Sequence, residues 1–174
     1  MSGLTNMNYI KDINLNNYNV IIEIPKGTNS KYELVDGSFD KVVEVRKVVG
    51  KYPFYYGCFP QTLAGDNDPL DMILLSNKKR HMLDVVDVIP IGVIKTIDNG
   101  EVDDKVFVVA KDETIKNLEK LKAKAIKFLH SYKGKKSNMT IDEVFYGPEV
   151  AIELIEQAHK NFYPKKNNNL KIYL

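Results

Sequence analysis

The stretch Lys105–Tyr132, which reads KVFVVA, then KDET, then IKNLEKLKAKAIKFLHSY, decides the fold class. Its first six residues, Lys105 to Ala110, form a β-branched and aromatic run of strand type. After Lys111 the period changes. Leu118, Leu121, Ala125, Phe128 and Tyr132 recur at steps of three and four, the spacing of one helical face, and Lys133-Gly134 marks the expected end of the helix. Upstream, the runs Val20–Ile24, Lys31–Val35, Lys41–Val49, Leu70–Leu75 and Val88–Ile97 have strand texture and are punctuated by Gly, Pro, Asn and Asp. Between them, Tyr52–Gly57 reads as a turn-like course, because Pro53 and Gly57 restrict its backbone. Downstream, a second helix is expected from Pro148 through Val150, Leu154, Ile155, Ala158 and Phe162. The Asn/Lys-rich Lys165–Asn169 reads as a solvated tail with a short apolar end. Short strands at this spacing followed by helices predict an α+β fold, a β-barrel with helices packed on it.

The chain has 174 residues, 44% of them hydrophobic and 28% charged, which predicts a single domain over residues 1–174. Such a chain buries roughly 70% of the surface its unfolded form exposes, so disulfides are not needed. Cys58 is the only cysteine, which suits a reducing compartment. The polar start (Ser2, Thr5, Asn6, Asn8) does not predict a signal peptide. The most apolar stretch, Val85–Ile97, is broken by Asp87, Pro90, Gly92 and Lys95, so no membrane span is expected. A net charge of +2, from 25 Lys+Arg against 23 Asp+Glu, argues against a dedicated nucleic-acid binder.

The distribution of charge says more than its sum. Asp66-Asn67-Asp68-Pro69-Leu70-Asp71 places three aspartates in six residues directly before the apolar run Met72–Leu75. Pro69 blocks a helix, so the acids sit where a loop enters a strand. Two unit charges about 6 Å apart repel by roughly 0.7 kcal/mol in water and roughly 2.8 kcal/mol at an effective dielectric of 20. Acids held near a core therefore call for a cation or a proton. A second acidic segment, Asp98 to Asp104, contains an Asn99-Gly100 turn that folds the chain back as a hairpin, with Asp98 and Asp103 flanking its end. Hard oxygen donors without His or Cys at ligand spacing favour Mg²⁺, Mn²⁺ or Ca²⁺ over zinc. An EF-hand is excluded: counted from Asp66, the sixth position is Asp71 and the twelfth is Asn77. A solvated acidic turn is the plain alternative for each segment.

Lys31 and Glu33 share one face of their strand, and Glu23 stands alone among isoleucines, at an exposed edge or in a charged site. Tyr132 lies on the buried stripe of the first helix beside Lys133, so its hydroxyl needs a polar partner. Carboxylates for divalent ions together with Lys, Arg and Tyr donors for an anion fit metal-assisted phosphoryl transfer.

These residues resemble a known family. Asp66-Asn67-Asp68-Pro69-Leu70-Asp71 matches the D-x-D-P-x-D signature of the soluble family I inorganic pyrophosphatases. Ile22-Glu23-Ile24-Pro25, Lys31-Tyr32-Glu33, Tyr52-Pro53 with Tyr56-Gly57, Gly92 to Asp98, Asp103 with Lys105, and Tyr132-Lys133 follow in the family's order, over roughly residues 19 to 160. The resemblance implies a cytoplasmic, Mg²⁺-dependent hydrolase of inorganic diphosphate on an OB-like five-stranded β-barrel with flanking α-helices, a homohexamer in bacteria. It implies that Asp66, Asp71 and Asp103 hold metals flanking the attacking water, with Asp71 bridging, and that Asp68 takes the water's proton. Asp98 and Asp103 would hold a further metal, and Glu23 and Glu33 would tune the rim. Lys31, Arg46, Lys105, Tyr132 and Lys133 resemble the phosphate grips, and Tyr56 the phenol near the water.

The chain departs from the family pattern in places. Arg46 stands closer to Tyr52 than the family's arginine does to its Tyr-Pro pair, which leaves Lys41 or Lys47 as alternatives. Tyr55 replaces the usual Asn, Asp104 adds an acid beside Asp103, and tryptophan is missing after Lys133. A reading of another class is an OB-type module for single-stranded nucleic acid, with Tyr52, Phe54, Tyr55, Tyr56 and Phe59 stacking bases beside Lys47 and Lys51.

Overall fold

The computed structural model of the chain describes residues 18–35, 38 and 40–170. The polar N-terminal residues on which the signal-peptide reading rests, and the final Lys171–Leu174, lie outside the described residues.

Five strands close a ring: β1 (Tyr18–Ile24), β4 (Tyr55–Phe59), β5 (Leu70–Leu75), β8 (Lys105–Ala110) and β6 (Val85–Asp98), which pairs back onto β1. Closure removes the free sheet edges that an open sheet would present. Around the ring β5 and β8 run parallel and the other neighbours antiparallel. Two further strands, β7 (Glu101–Val102) and β9 (Met139–Tyr146), extend β6, and β2 (Ser30–Leu34) pairs with β3 (Val42–Lys47) in a separate hairpin. Two helices, α1 (Leu118–Leu129) and α2 (Pro148–Leu170), complete the order. This is the OB-like α+β barrel that the sequence predicts.

Both faces of β4, β5 and β8 are buried. Leu70, Met72 and Leu74 of β5, with Val106 and Val108 of β8, pack toward Ala151, Ile155 and Ala158 of α2. The alternate residues Ile73, Leu75 and Phe107 pack toward Leu121, Ala125 and Leu129 of α1. Period-2 alternation sends Asp71 and Lys105 to the α1 side of the sheet, with Ile73 and Phe107.

Two strands differ from the sequence reading. Tyr55–Phe59 is a strand, whereas Tyr52–Gly57 reads as a turn; all five residues of β4 are buried, so no polar alternation marks it. β9 has no counterpart in the sequence reading, because its polar Asp142 and Glu143 interrupt any apolar pattern. The second helix also runs on as backbone to Leu170, through the expected tail. Gly57 explains why β4 tolerates no side chain at its centre: a Cβ there would lie 1.8 Å from the Ile21 carbonyl oxygen. Gly57→Ala is accordingly expected to destabilise the chain by about 3 kcal/mol or more through forced separation of β1 and β4, read as a shift of the urea midpoint.

Candidate active site

A cavity of about 370 Å³ opens between the β2–β3 hairpin, the acidic loops and the C-terminal end of α1. Strand register builds its floor. Asp71 is paired directly with Lys105 across the parallel β5–β8 ladder. Cys58 is paired with Asp71 across β4–β5, which makes Tyr56 the diagonal neighbour of Asp71 on the same face. The Tyr56 hydroxyl donates to Asp71 Oδ2 at 2.6 Å. Lys105 Nζ lies 2.5 Å from Asp71 Oδ2 and 2.7 Å from Asp103 Oδ1, and its side chain is only 1% exposed.

The rim is held by local hydrogen bonds. In the loop before β5, the Asn67 N–H donates to the Ala64 carbonyl (3.1 Å) and the Ala64 N–H to the Asp68 carbonyl (2.8 Å). The Asp68 N–H donates to Asp66 Oδ1 at 3.1 Å, and Asn67 takes a positive φ of 65°, which asparagine tolerates. Lys31 Nζ sits 2.5 Å from Glu33 Oε1. The Glu23 carboxylate accepts the Leu34 N–H at 2.9 Å, which ties β1 to the hairpin. Lys133, just past α1, pairs with Asp98 at the end of β6.

One cavity thus brings together Glu23, Lys31, Glu33, Tyr56, Asp66, Asp68, Asp71, Asp98, Asp103, Lys105, Tyr132 and Lys133. Arg46 is not among its lining residues; its guanidinium lies over the Tyr132 ring, 5.8 Å from the centroid. Among the described residues no three His, Cys, Asp or Glu side chains are close enough to coordinate one ion as they stand. The acids are instead spaced around ammonium groups. The donor set nevertheless fits hard divalent cations: it is made of carboxylates facing one cavity, with no histidine in the lining. The aromatic run offers no stacking platform for bases, because Tyr52, Phe54, Tyr55, Tyr56 and Phe59 are all buried. Among the described residues no helix is long and apolar enough to cross a membrane.

A family model described as inorganic pyrophosphatase matches residues 20–163. The chain belongs to the inorganic pyrophosphatase family. It is 35% identical over 152 residues to the inorganic pyrophosphatase of Nanoarchaeum equitans, an alignment covering 81% of this chain and 94% of that one. It is 38% identical over 128 residues to the inorganic pyrophosphatase of Sulfolobus acidocaldarius, covering 66% and 73% respectively. The structure of the inorganic pyrophosphatase from Helicobacter pylori superposes with a TM-score of 0.74 at 28% identity, covering 87% of this chain and 96% of that chain.

Among the lining residues that escape the sequence reading as parts of the site are Tyr52, Cys58, Asn99 and Glu101. Cys58 reads from sequence as a small buried hydrophobe, and it is 3% exposed, but it also floors the cavity. The signal was available in the two-residue step from Tyr56 to Cys58, once that segment is recognised as a strand.

Burial and neighbouring acids set the protonation of the floor. Burial, with Asp71 and Glu33 adding to it against the Leu34 N–H, pushes the Glu23 carboxyl up to about 7. Asp71 and Asp103 share one ammonium. Burial and the Asp71 charge push Asp103 up to about 7 against the pull of Lys105. Asp71 is driven up by burial but ends below the usual carboxylate range, because Lys105 and the Tyr56 hydroxyl favour its charged form. Burial raises the Tyr132 phenol to about 12, so it stays a donor at neutral pH. Asp68 is raised by burial, Asp66 and Glu33.

These shifts fix the sign of a stability measurement. Glu23 and Asp103 keep protons when folded that they lose near 4.5 and 3.8 when unfolded, so the native state binds more protons between about pH 4 and pH 7. Stability without divalent cations is expected to fall as pH rises through that window, by several degrees in Tm. Millimolar Mg²⁺, which competes with those protons, is expected to flatten the slope; melting curves in chelator and in Mg²⁺ at pH 5, 6 and 7.5 check both.

Proposed function

We propose that this chain hydrolyses inorganic diphosphate to two phosphates, with Mg²⁺ as its ion. The observation that carries this reading is that both acidic segments, 66–71 and 98–103, line the same cavity as Lys31, Lys105, Tyr132 and Lys133. Membership of the family supports the reaction, and the predominance of carboxylates among the possible ligands, with no histidine, supports the choice of a hard cation.

In this proposal Asp66, Asp71 and Asp103 hold the ions beside the attacking water, Asp98 and Asp103 take a further ion, and Glu23 lies at the rim. The bound ions supply a water of lowered pKa and offset charge on the bridging oxygen. The residues of the chain do the rest. Asp68, exposed at the cavity edge and held by the turn at Asn67, takes the proton that the water loses as its oxygen bonds to phosphorus. The bond from that phosphorus to the bridging oxygen breaks, and the departing phosphate carries that oxygen away. Lys31, Lys133 and the Tyr132 hydroxyl grip it, with Arg46 approaching from behind Tyr132. Tyr56, donating to Asp71, fixes the orientation of that carboxylate, and Lys105 holds Asp71 and Asp103 in place. Glu33 positions Lys31 through their ion pair.

The same reading places the chain in the cytoplasm as a homo-oligomer, the homohexamer of the bacterial family members. The free, buried Cys58 supports a reducing compartment, and exposed side chains such as Val43, Val45 and Ile89 support contacts between copies.

Phosphate release from diphosphate and from ATP, each with and without Mg²⁺, tests the reaction directly. Turnover of diphosphate in Mg²⁺ only is expected, and equal turnover of ATP would overturn the substrate. Asp68→Asn, nearly isosteric, is expected to lower kcat by about 10²-fold or more with an unchanged melting curve; full turnover would remove Asp68 from the base role. Asp71→Asn should raise the Mg²⁺ concentration needed for half-maximal rate, and an unaltered Mg²⁺ dependence contradicts its bridging place.

A further inference from the structure

Asp104, the extra acid beside Asp103, occupies a position where β8 alternation calls for an apolar residue. It shares its sheet face with Val106, Val108 and Ala110, on the α2 side, and is 9% exposed. A carboxylate so placed needs a polar partner. Its Oδ1 accepts the Thr96 N–H at 3.0 Å, and Thr96 is itself only 2% exposed.

The pairing around this contact shows what it does. The register is the same on both sides of the break: Ile97 faces Val102, and Ile94 faces Lys105. Continued without interruption, the ladder would set Thr96 opposite Asp103, and such a pair in an antiparallel hairpin exchanges two backbone hydrogen bonds. Only one is made. The Asp103 N–H donates to the Thr96 carbonyl at 2.9 Å. The Thr96 N–H instead turns to the Asp104 carboxylate, and the Thr96 hydroxyl takes its place on the Asp103 carbonyl. The ladder is opened at the residue whose side chain must reach Lys105 in the cavity, and Asp104 holds it open.

We infer that Asp104 is a positioning residue that, through Thr96, fixes the backbone of Asp103 and so aims its carboxylate at the divalent-cation site. Nothing in the reaction requires Asp104 to touch an ion or substrate. Without its acceptor, the Thr96 N–H closes on the Asp103 carbonyl, the Asp103 peptide rotates, and its side chain leaves the geometry set by Lys105. The inference rests on the cation-site reading above, and the experiment separates the two.

The measurement is Mn²⁺ binding to the whole chain without substrate, read as free Mn²⁺ by electron paramagnetic resonance, alongside melting curves. Asp104→Ala is expected to weaken binding about tenfold, equivalent to about 1.4 kcal/mol. Asp104→Asn keeps an oxygen for the Thr96 N–H and is expected to restore binding to within about threefold of the unaltered chain. Thr96→Val is expected to weaken Mn²⁺ binding and Thr96→Ser to preserve it, which carries the test should Asp104→Ala fail to fold. Failure of the unaltered chain to bind Mn²⁺, or binding indifferent to Asp71→Asn, overturns the cation site itself. Binding by the unaltered chain that Asp104→Ala leaves intact, that Asp104→Asn weakens as much as Asp104→Ala does, or that Thr96→Val leaves intact overturns the positioning role alone.

Discussion

The buried ammonium of Lys105 is the constraint on which the site depends. A charge with 1% of its side chain exposed is sustainable only if paired, and the parallel β5–β8 ladder supplies Asp71 directly opposite it while the hairpin return supplies Asp103. Burial alone would pull the lysine's pKa down, but the two carboxylates hold it above its usual value, so it stays charged. Removing Lys105 would leave two neighbouring carboxylates in the floor with no ammonium between them. Two acids drawn from distant segments are thereby kept close, although they repel one another.

The same logic runs around the rim. Lys31 with Glu33 and Lys133 with Asp98 are cation–carboxylate pairs. A cavity lined with acids repels a diphosphate, and one lined with bare ammonium groups repels divalent ions. Three lysines offset only part of the charge of the eight acids that line the cavity, so the site keeps an acidic excess that favours cations.

Much of this was legible in the chain, and the parts that were not share a cause. The helix at Leu118–Leu129 carries one clear period, and the strands at Leu70–Leu75 and Lys105–Ala110, buried on both faces, stand out as apolar runs free of Gly and Pro. Tyr55–Phe59 is equally buried but does not stand out, because Pro53 with Gly57 imitates a turn. Met139–Tyr146 pairs with β6 and packs Met139, Ile141 and Phe145 against the core, but Asp142 and Glu143 interrupt its apolar pattern. In the site, the acids and lysines stand out by type, whereas Cys58 enters only because strand geometry points it into the cavity and Tyr52 reaches it from the segment before β4. Arg46 reads as a phosphate grip, yet its guanidinium lies over the Tyr132 ring and outside the lining.

The sequence by itself determined the inventory: strands before helices, two acidic segments with hard donors, and phenols and lysines able to hold an anion. Those properties are local, since residue type and spacing set them. Only the tertiary structure decided that Asp71 and Lys105, 34 residues apart, face each other and that Asp104 opens the hairpin beside Asp103. Closing the five-stranded ring selects one register among several that the same strands could adopt, and a shift of one residue would turn each of these side chains to the opposite face.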